Sequence, residues 1–268
     1  MTDIDADGGG RTEPPTVTPP SALAATIEQL PRPRLLVFDC DGVLAPIVEH
    51  ADDAVLRPGV REALARLALR EETRLAVLSG RSLAGLAQFD FPSSVDVVGS
   101  YGSERRGHEG EDLDDDRAVL LAEIGKIAAA TATAADGAWV EHKPASVVLH
   151  VRGADPDAGA VALRRIRDEA ERLHGVFVHE GKAVVELAVH SSDKGAAIAM
   201  LIDDHAPAAV VYLGDDEPDE AAFRIVEQGP TAGIAVRVGP APTTVASRLL
   251  ADTDAVLELL EFLAPPGA

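Results

Sequence analysis

LLVFDCDGVLAPI, residues 35–47, is the stretch from which the fold can be inferred. Its first four residues form a continuous apolar run, typical of a strand in a parallel sheet that helices cover on both faces. The run leads directly into Asp39 and Asp41, with Gly42 next. Ligands of open α/β sheets bind beyond the carboxyl ends of the strands, so these acids are predicted to lie at a catalytic or metal site. An ordinary turn is the alternative, because Asp and Gly are common turn residues.

The alternation of apolar strands and helices continues at both ends of the chain. Further strands are predicted at 74–78, 95–98, 210–213 and 232–236, and helices at about 59–70, 82–88, 193–204, 219–228, 243–250 and 254–263. This pattern predicts a doubly wound, Rossmann-like α/β domain built from residues 31–104 and 190–268. Residues 1–30 are predicted to be a flexible tail followed by a short helix.

Residues 105–189 have a different pattern and are predicted to form a separate α+β domain inserted into the first. The predicted order is a helix at 117–133, strands at 138–143 and 146–152, a helix at 157–173, and strands at 176–179 and 183–187. Polar and apolar residues alternate in these strands, which is typical of an antiparallel sheet with one open face. The inserted domain is therefore expected to have αββαββ order.

Composition excludes several classes of protein. Among 268 residues, 45 are acidic and 24 basic, and the net charge of −21 argues against nucleic acid or an anionic membrane as partner. No apolar run reaches the ~18 residues of a membrane span, and the first residues do not resemble a secretory signal. A single cysteine, Cys40, cannot form an intrachain disulfide and suits a reducing compartment. We expect a monomeric cytoplasmic protein.

A second acidic motif, GDDEPDE at 214–220, also follows an apolar strand. Asp215 and Asp216 are therefore predicted to lie at the same sheet edge as Asp39. Magnesium prefers oxygen ligands and often binds one or two carboxylates together with a substrate phosphate. Asp219 is also explained by an ordinary helix start, where acids are favoured.

Two further segments offer groups that bind phosphate. Ser79 and Arg81 follow the strand at 74–78, where a hydroxyl and main-chain N–H groups can hold a phosphoryl oxygen. Taken by itself, this motif indicates no more than a helix cap. Lys194 lies in the first turn of a predicted helix, where a cation opposes the helix dipole. Residues that break such local preferences are often functional.

Together these residues suggest a phosphoryl-transfer reaction. Asp39 is the candidate nucleophile that forms an aspartyl-phosphate, and Asp41 the candidate acid and base. Mg²⁺ is expected to bind Asp39, Asp215 and the main-chain carbonyl of Asp41. Ser79 and Lys194 are expected to complete the set of groups around the phosphoryl charge.

This set of motifs resembles that of the haloacid-dehalogenase superfamily of phosphotransferases, and the αββαββ insertion is similar to its type 2 capped branch. Within that branch, the chain resembles the trehalose-6-phosphate phosphatase family over about residues 34–262. The motifs that carry this resemblance are GSYGSE (99–104), EHKPASVVLHVR (141–152), GKAVVEL (181–187) with SDKG (192–195), and GDDEPDEAAF (214–223).

The resemblance also implies which residues bind the substrate. From period 2 alone, one face of the inserted sheet carries several polar residues, and a solvated face without function explains them as well. The resemblance assigns these residues and Arg81 to a sugar phosphate, with Asp216 and Asp219 supporting the metal site; the sheet residues are Glu141, Lys143, His150, Arg152 and Glu186.

The activity implied by the resemblance is Mg²⁺-dependent hydrolysis of trehalose 6-phosphate. Alternatives are a phosphatase for another sugar phosphate, of the sucrose or mannosylglycerate type, and a sugar-phosphate sensor without activity. Tyr101, Val151 and Pro218 stand where the family usually has His, Tyr and Thr. These departures bear on which sugar is recognised, since none removes a proposed chemical group.

Overall fold

The computed structural model describes residues 15–108, 113, 115–181, 183–189, 193–241 and 243–264. The described residues divide into two compact units. The core unit contains those up to Arg106 and those from Asp193 onward, and the inserted unit contains those between. Most of the predicted tail, residues 1–14, lies outside the described residues, as do Lys182 and Ser192 of the predicted motifs.

The core unit contains a seven-stranded sheet. Its strands are β1 (Arg34–Phe38), β2 (Thr73–Leu78), β3 (Val95–Gly99), β4 (Glu104–Arg105), β9 (Ala209–Gly214), β10 (Ala232–Val238) and β11 (Arg248–Leu250). Their order in the sheet is β11-β10-β9-β1-β2-β3-β4. All neighbouring strands are parallel except β4, which runs antiparallel to β3. The doubly wound parallel sheet predicted from the sequence is confirmed.

Helices cover both faces of this sheet, and the side chains of β1 show why its sequence is a continuous apolar run. Leu36 and Phe38 belong to one buried cluster, which includes residues of four helices, whereas Leu35 and Val37 belong to a second cluster on the other face. The helices of the first cluster are α1 (Pro20–Glu28), α2 (Val60–Leu67), the short α3 (Leu83–Leu86) and α8 (Thr253–Leu263). The second cluster involves α6 (Lys194–His205) and α7 (Asp219–Gln228).

The helix predicted near residues 243–250 is wrong. Arg248–Leu250 forms the edge strand β11, which pairs in parallel with β10. A short apolar run does not distinguish a strand from a helix by periodicity. Residues 248–250 form a strand here because they pair with the edge of β10. Val17, within the predicted tail, forms a bridge with Leu249, and the N–H of Thr18 donates to the carbonyl of Leu249 at 2.7 Å.

The inserted unit consists of an antiparallel sheet with two helices packed on one face. Its elements are α4 (Asp115–Thr133), β5 (Trp139–His142), β6 (Ser146–His150), α5 (Pro156–Ala170), β7 (Phe177–Gly181) and β8 (Val184–Ala188). The order of strands in the sheet is β5-β6-β8-β7. Alternate residues of the strands, including Val147, Leu149 and Leu187, pack against Ile124 and Ile166 of the helices. The other face of the sheet carries the polar residues.

None of the described helices combines the length and the apolar character that crossing a membrane requires.

Candidate active site

Asp39 follows β1 and is held in one orientation by two hydrogen bonds. The hydrogen bonding between β1 and β9 continues to Asp39, because the main-chain N–H of Asp39 donates to the carbonyl of Leu213 at 2.9 Å. One carboxylate oxygen, Oδ1, accepts the N–H of Cys40 at 2.6 Å, and Oδ2 accepts the ammonium of Lys194 at 2.6 Å. The side chain is only 6% exposed. The neighbouring Cys40 is fully buried, and burial raises the pKa of its thiol, so it does not act as a thiolate.

The glycine of the DxDG motif is required by the way two loops approach each other. Gly42 has a positive φ of 74°, which side-chain-bearing residues rarely adopt. A Cβ at this position would lie 2.0 Å from Oδ2 of Asp215, in the loop that follows β9. The loops after β1 and β9 therefore come together at the shared carboxyl ends of two neighbouring strands.

Four carboxylates converge at this sheet edge. Asp39, Asp215, Asp216 and Asp219 each offer one oxygen, and these oxygens lie within 4.8 Å of one another. Asp219 organises the acidic loop, since its Oδ2 accepts the main-chain N–H of Asp215 at 2.8 Å and that of Asp216 at 3.0 Å. The side chain of Asp219, in the first turn of α7, thus fixes the conformation of the loop after β9.

Lys194 occupies the centre of this acidic group. Its Nζ lies 2.6 Å from Asp39, 2.6 Å from Asp219 and 3.8 Å from Asp216, and the side chain is 2% exposed. The helix α6 begins at Lys194 because Asp193 accepts the N–H of Ala196 at 2.8 Å. The cation that opposes the helix dipole is therefore compensated by carboxylates from other segments of the chain.

The pKa values in the cluster follow from burial and crowding of like charges. Burial raises the pKa of Asp39, with Lys194 opposing the rise. Burial also raises the pKa of Asp215 to about 6 and that of Asp216 to about 7. Burial acts against the charge of Lys194, but the carboxylates around it raise its pKa, so it is a permanent ammonium. The pKa of Asp219 is lowered because Lys194 and the groups of Asp216 outweigh its burial.

The residues present fit a divalent metal ion. Lys194 supplies one positive charge, fewer than the carboxylates that surround it, and the remaining repulsion adds to burial in raising the pKa values of Asp215 and Asp216. Carboxylate oxygens are the ligands of hard cations such as Mg²⁺ and Ca²⁺. The close approach of the two loops at Gly42 brings these oxygens within reach of one ion.

Asp41 has a different environment from the other acids. Its carboxylate pairs with Arg81, whose Nε lies 2.6 Å from Oδ2 and whose Nη2 lies 2.7 Å from Oδ1. Asp41 is therefore not one of the four side chains in the acidic cluster. The metal contact predicted for it involves its main-chain carbonyl.

Ser79 lies at the carboxyl end of β2, the strand next to β1. It is 2% exposed, and its Oγ accepts the main-chain N–H of Arg81 at 3.2 Å. The GSYGSE segment packs behind it: the ring of Tyr101 lies so close to Gly80 that a Cβ there would be 2.6 Å from it. Glu104 accepts the N–H of Leu83 at 3.1 Å and thereby caps α3.

In the inserted unit, two pairs of polar side chains are in contact on the polar sheet face. Nε2 of His150 lies 3.0 Å from Glu141, a residue near it on the neighbouring strand. The carboxylate of Glu186 accepts from Nζ of Lys143 at 3.1 Å and from Oγ of Ser146 at 2.6 Å. The structure thus brings together four of the five sheet residues that were predicted to bind a sugar.

Arg152 lies two residues beyond the end of β6 and is exposed. Trp139 is 54% exposed and stacks on the ring of His150, with 3.9 Å between ring centroids and an interplanar angle of 1°.

Sequence reasoning missed three residues that support these groups. Tyr212 lies in a strand predicted from its apolar residues, yet its hydroxyl donates to Asp219 at 2.5 Å. Arg237 donates to the main-chain carbonyl of Asp216 at 2.9 Å. Ser146 contacts Glu186. A tyrosine inside a buried strand was the available signal for Tyr212, because a buried hydroxyl needs a partner.

A parallel sheet with acidic loops after two adjacent central strands, interrupted by an αββαββ unit, defines a haloacid-dehalogenase-type α/β protein. This architecture agrees with a solved structure described as the C-terminal domain of Candida albicans trehalose-6-phosphate phosphatase. The two share a TM-score of 0.75 and 23% sequence identity over 94% of this chain and 98% of that one.

The chain belongs to the trehalose-phosphatase family, whose model matches residues 37–254. A trehalose-phosphate phosphatase of Mycobacterium tuberculosis is 37% identical over 199 residues, which cover 70% of this chain and 50% of the relative. The chain thus spans about half the length of this relative. The trehalose-6-phosphate phosphatase of Escherichia coli is 30% identical over 89% of this chain and 86% of the relative.

Proposed function

We propose that this chain is a Mg²⁺-dependent phosphomonoester hydrolase whose substrate is trehalose 6-phosphate. The observation that carries the proposal is the contact of Asp39 with Lys194 inside a group of four carboxylates at the carboxyl end of the sheet. Membership of the trehalose-phosphatase family supports this sugar phosphate as the substrate.

Asp39 is the proposed nucleophile. One of its oxygens attacks phosphorus in line with the bond to the sugar oxygen, and an aspartyl-phosphate forms as that bond breaks. Lys194, at 2.6 Å, favours the ionised form of Asp39 and offsets the charge of the phosphoryl group. The Oγ of Ser79 accepts one hydrogen bond from Arg81 and still has its own proton to donate to a phosphoryl oxygen.

Asp41 is the proposed general acid and base. In the first step its carboxyl group gives a proton to the departing sugar oxygen. In the second step its carboxylate takes a proton from the water that attacks the aspartyl-phosphate, which releases phosphate and restores Asp39. Its separation from the acidic cluster, through the pair with Arg81, supports a role distinct from that of Asp215.

The proposed metal ligands are the side chains of Asp39 and Asp215 and the main-chain carbonyl of Asp41. Bound Mg²⁺ supplies positive charge that stabilises the phosphoryl oxygens during displacement. Asp219 orients the loop through the N–H groups of Asp215 and Asp216, so its contribution is to hold the ligands in position. Asp216 adds negative charge beside Lys194.

The polar face of the inserted sheet is the proposed sugar-binding surface. Lys143 forms an ion pair with Glu186 there, and His150 contacts Glu141. The donors and acceptors of these four side chains suit the hydroxyl groups of a disaccharide. Arg152 is assigned to the same role by the family motif.

Phosphate release from a panel of sugar phosphates, with and without Mg²⁺, tests the proposal. We expect the highest kcat/KM for trehalose 6-phosphate, dependence on Mg²⁺, and no turnover by Asp39→Asn, which keeps the size of the side chain but removes the nucleophile. Because this substitution leaves Lys194 facing a neutral amide, the thermal unfolding of the variant is measured as a folding control.

Three outcomes would contradict the proposal. Release no faster than that of the Asp39→Asn control rejects hydrolysis, and tight binding of trehalose 6-phosphate without turnover identifies a sensor instead. A higher kcat/KM for sucrose phosphate or mannosylglycerate phosphate rejects the proposed substrate but retains the reaction, because specificity is the ratio of these constants.

A further inference from the structure

The guanidinium group of Arg81 is bound by other parts of the protein on three sides. Its Nε and Nη2 hold the two oxygens of Asp41 at 2.6 and 2.7 Å. Its Nη1 donates to the carbonyl of Ala51 at 2.8 Å. The carbon of the guanidinium lies 5.2 Å from the centre of the Phe89 ring. Its planar face and its hydrogen-bonding edge are both in contact with protein groups.

The main chain of Arg81 is held as firmly as its side chain. The N–H of Arg81 donates to Oγ of Ser79 at 3.2 Å, and its carbonyl accepts the N–H of Ser100 at 2.7 Å. A fixed backbone and a side chain that is 14% exposed leave the guanidinium few alternative positions. Two-point pairs of arginine and carboxylate are also stronger and more specific in geometry than single contacts.

We infer that Arg81 is a positioning residue that sets where the carboxyl group of Asp41 lies, in place of the substrate-binding role predicted from the sequence. This inference rests on the proposed function, in which Asp41 is the general acid. When the Asp39–phosphorus bond forms, the bond from phosphorus to the leaving oxygen breaks and its electron pair stays on that oxygen. The oxygen then takes the proton of Asp41. While Asp41 carries this proton, its carboxyl group gives up at least one hydrogen bond to Arg81.

Leaving-group dependence separates positioning of the acid from binding of the phosphate. Phenyl phosphate and 4-nitrophenyl phosphate are similar in size, but phenoxide is the poorer leaving group and depends more on protonation. For Arg81→Gln we expect kcat/KM to fall about 100-fold with phenyl phosphate, within the usual contribution of general acid catalysis. This constant does not include the later hydrolysis of the aspartyl-phosphate, in which Asp41 acts alike for both substrates. The fall with 4-nitrophenyl phosphate is expected to be less than about tenfold. Asp41→Asn should show the same pattern in kcat/KM.

Two further variants make the test specific. Arg105 forms the same kind of two-point pair, with Asp96, outside the proposed site. Arg105→Gln should therefore change both kcat/KM values by the same factor. Arg81→Lys can still hold one oxygen of Asp41 and should recover part of the phenyl phosphate rate, and it also serves as the test variant if Arg81→Gln does not fold.

The inference is overturned if Arg81→Gln lowers kcat/KM for both aryl phosphates by the same factor, since that is the behaviour of a phosphate ligand. It is also overturned if both rates stay at the wild-type level. A wild-type protein that hydrolyses neither aryl phosphates nor sugar phosphates rejects the proposed function itself, and the inference with it.

Discussion

Lys194 shows how much of the site depends on single residues. A buried ammonium is costly unless it is paired, and this one lies within 2.6 Å of two carboxylates. One of them, Asp219, also accepts the hydroxyl of Tyr212, so hydrogen bonds link Tyr212, Asp219, Lys194 and Asp39 in a chain. Removing one member takes a hydrogen-bond partner away from a buried charged group.

Gly42 provides a test at the residue scale. Gly42→Ala should lower the free energy of unfolding and weaken Mg²⁺ binding about 10-fold to 100-fold, because the new Cβ displaces Asp215. Thermal unfolding and calorimetric titration with Mg²⁺ measure the two effects.

Gly239→Ala is the matched control for this change. Gly239 has nearly the same φ, 77°, but apart from its chain neighbours no atom of the described residues lies within 4 Å of the position of a Cβ. It should show the backbone strain alone, about 1–2 kcal/mol, with unchanged Mg²⁺ affinity. Equal Mg²⁺ affinity in both variants would contradict the importance of the close approach between Gly42 and Asp215.

At the scale of elements, the pairing of strands β6 and β8 brings Glu186 next to Ser146 and Lys143. Glu186→Gln should lower kcat/KM for trehalose 6-phosphate by about 10-fold or more, about 1.4 kcal/mol, mainly through KM. Hydrolysis of phenyl phosphate, which has no sugar, should change little. Steady-state kinetics with both substrates measure the difference.

Glu180→Gln is the control for Glu186→Gln. Glu180 directly follows His179 in β7 of the same sheet, and its carboxylate pairs with Arg167 of α5. Its removal should leave both substrates unaffected. An equal loss toward the two substrates in the Glu186 variant would argue against a role of this sheet face in sugar recognition.

Strand β3 of the core sheet contains a carboxylate, Asp96, whose pKa differs between the folded and unfolded states. Burial would raise the pKa of Asp96, but hydrogen bonds from Arg105 and His205 outweigh burial and lower it below the ordinary value of 3.8. A lowered pKa in the folded state stabilises the protein above pH 3.8, and this stabilisation is lost as the pH falls through the folded-state value.

Asp96→Asn should therefore reduce the free energy of unfolding by about 1–3 kcal/mol at pH 7 and should flatten its decrease between about pH 5 and pH ~2. Urea unfolding across this pH range measures both. The exposed pair of Asp90 and Arg61 provides the comparison, and Asp90→Asn should change stability by less than about 1 kcal/mol. A pH dependence as steep as that of the wild type would refute the assignment to Asp96.

At the scale of the whole molecule, the net charge of −21 makes any cation stabilising to some degree. Specific binding at the four carboxylates should add to this effect: Mg²⁺ at about 100 times its Kd should raise the free energy of unfolding by about 2.7 kcal/mol. Thermal unfolding in Mg²⁺ and in NaCl of equal ionic strength separates the two contributions. Asp215→Asn should keep the salt effect and lose the specific one, and an identical Mg²⁺ response in that variant would place the ion elsewhere.

Local sequence predicted most strands and helices because their periodicity and end signals act over a few residues. It failed at residues 248–250, where pairing with β10 outweighs a weak local preference. It also could not assign a partner to Asp41, because the arginine that holds it lies 40 residues away in the sequence.

The sequence by itself determined that apolar strands end in acids at Asp39 and Asp215, because strand, turn and alternation patterns are local properties. Only the tertiary structure decided that Lys194 joins Asp39 across 155 residues and that Tyr212 supports Asp219. The reason is physical: the direction and partner of a buried polar side chain depend on which segments pack around it. A chain segment of a few residues does not contain that information.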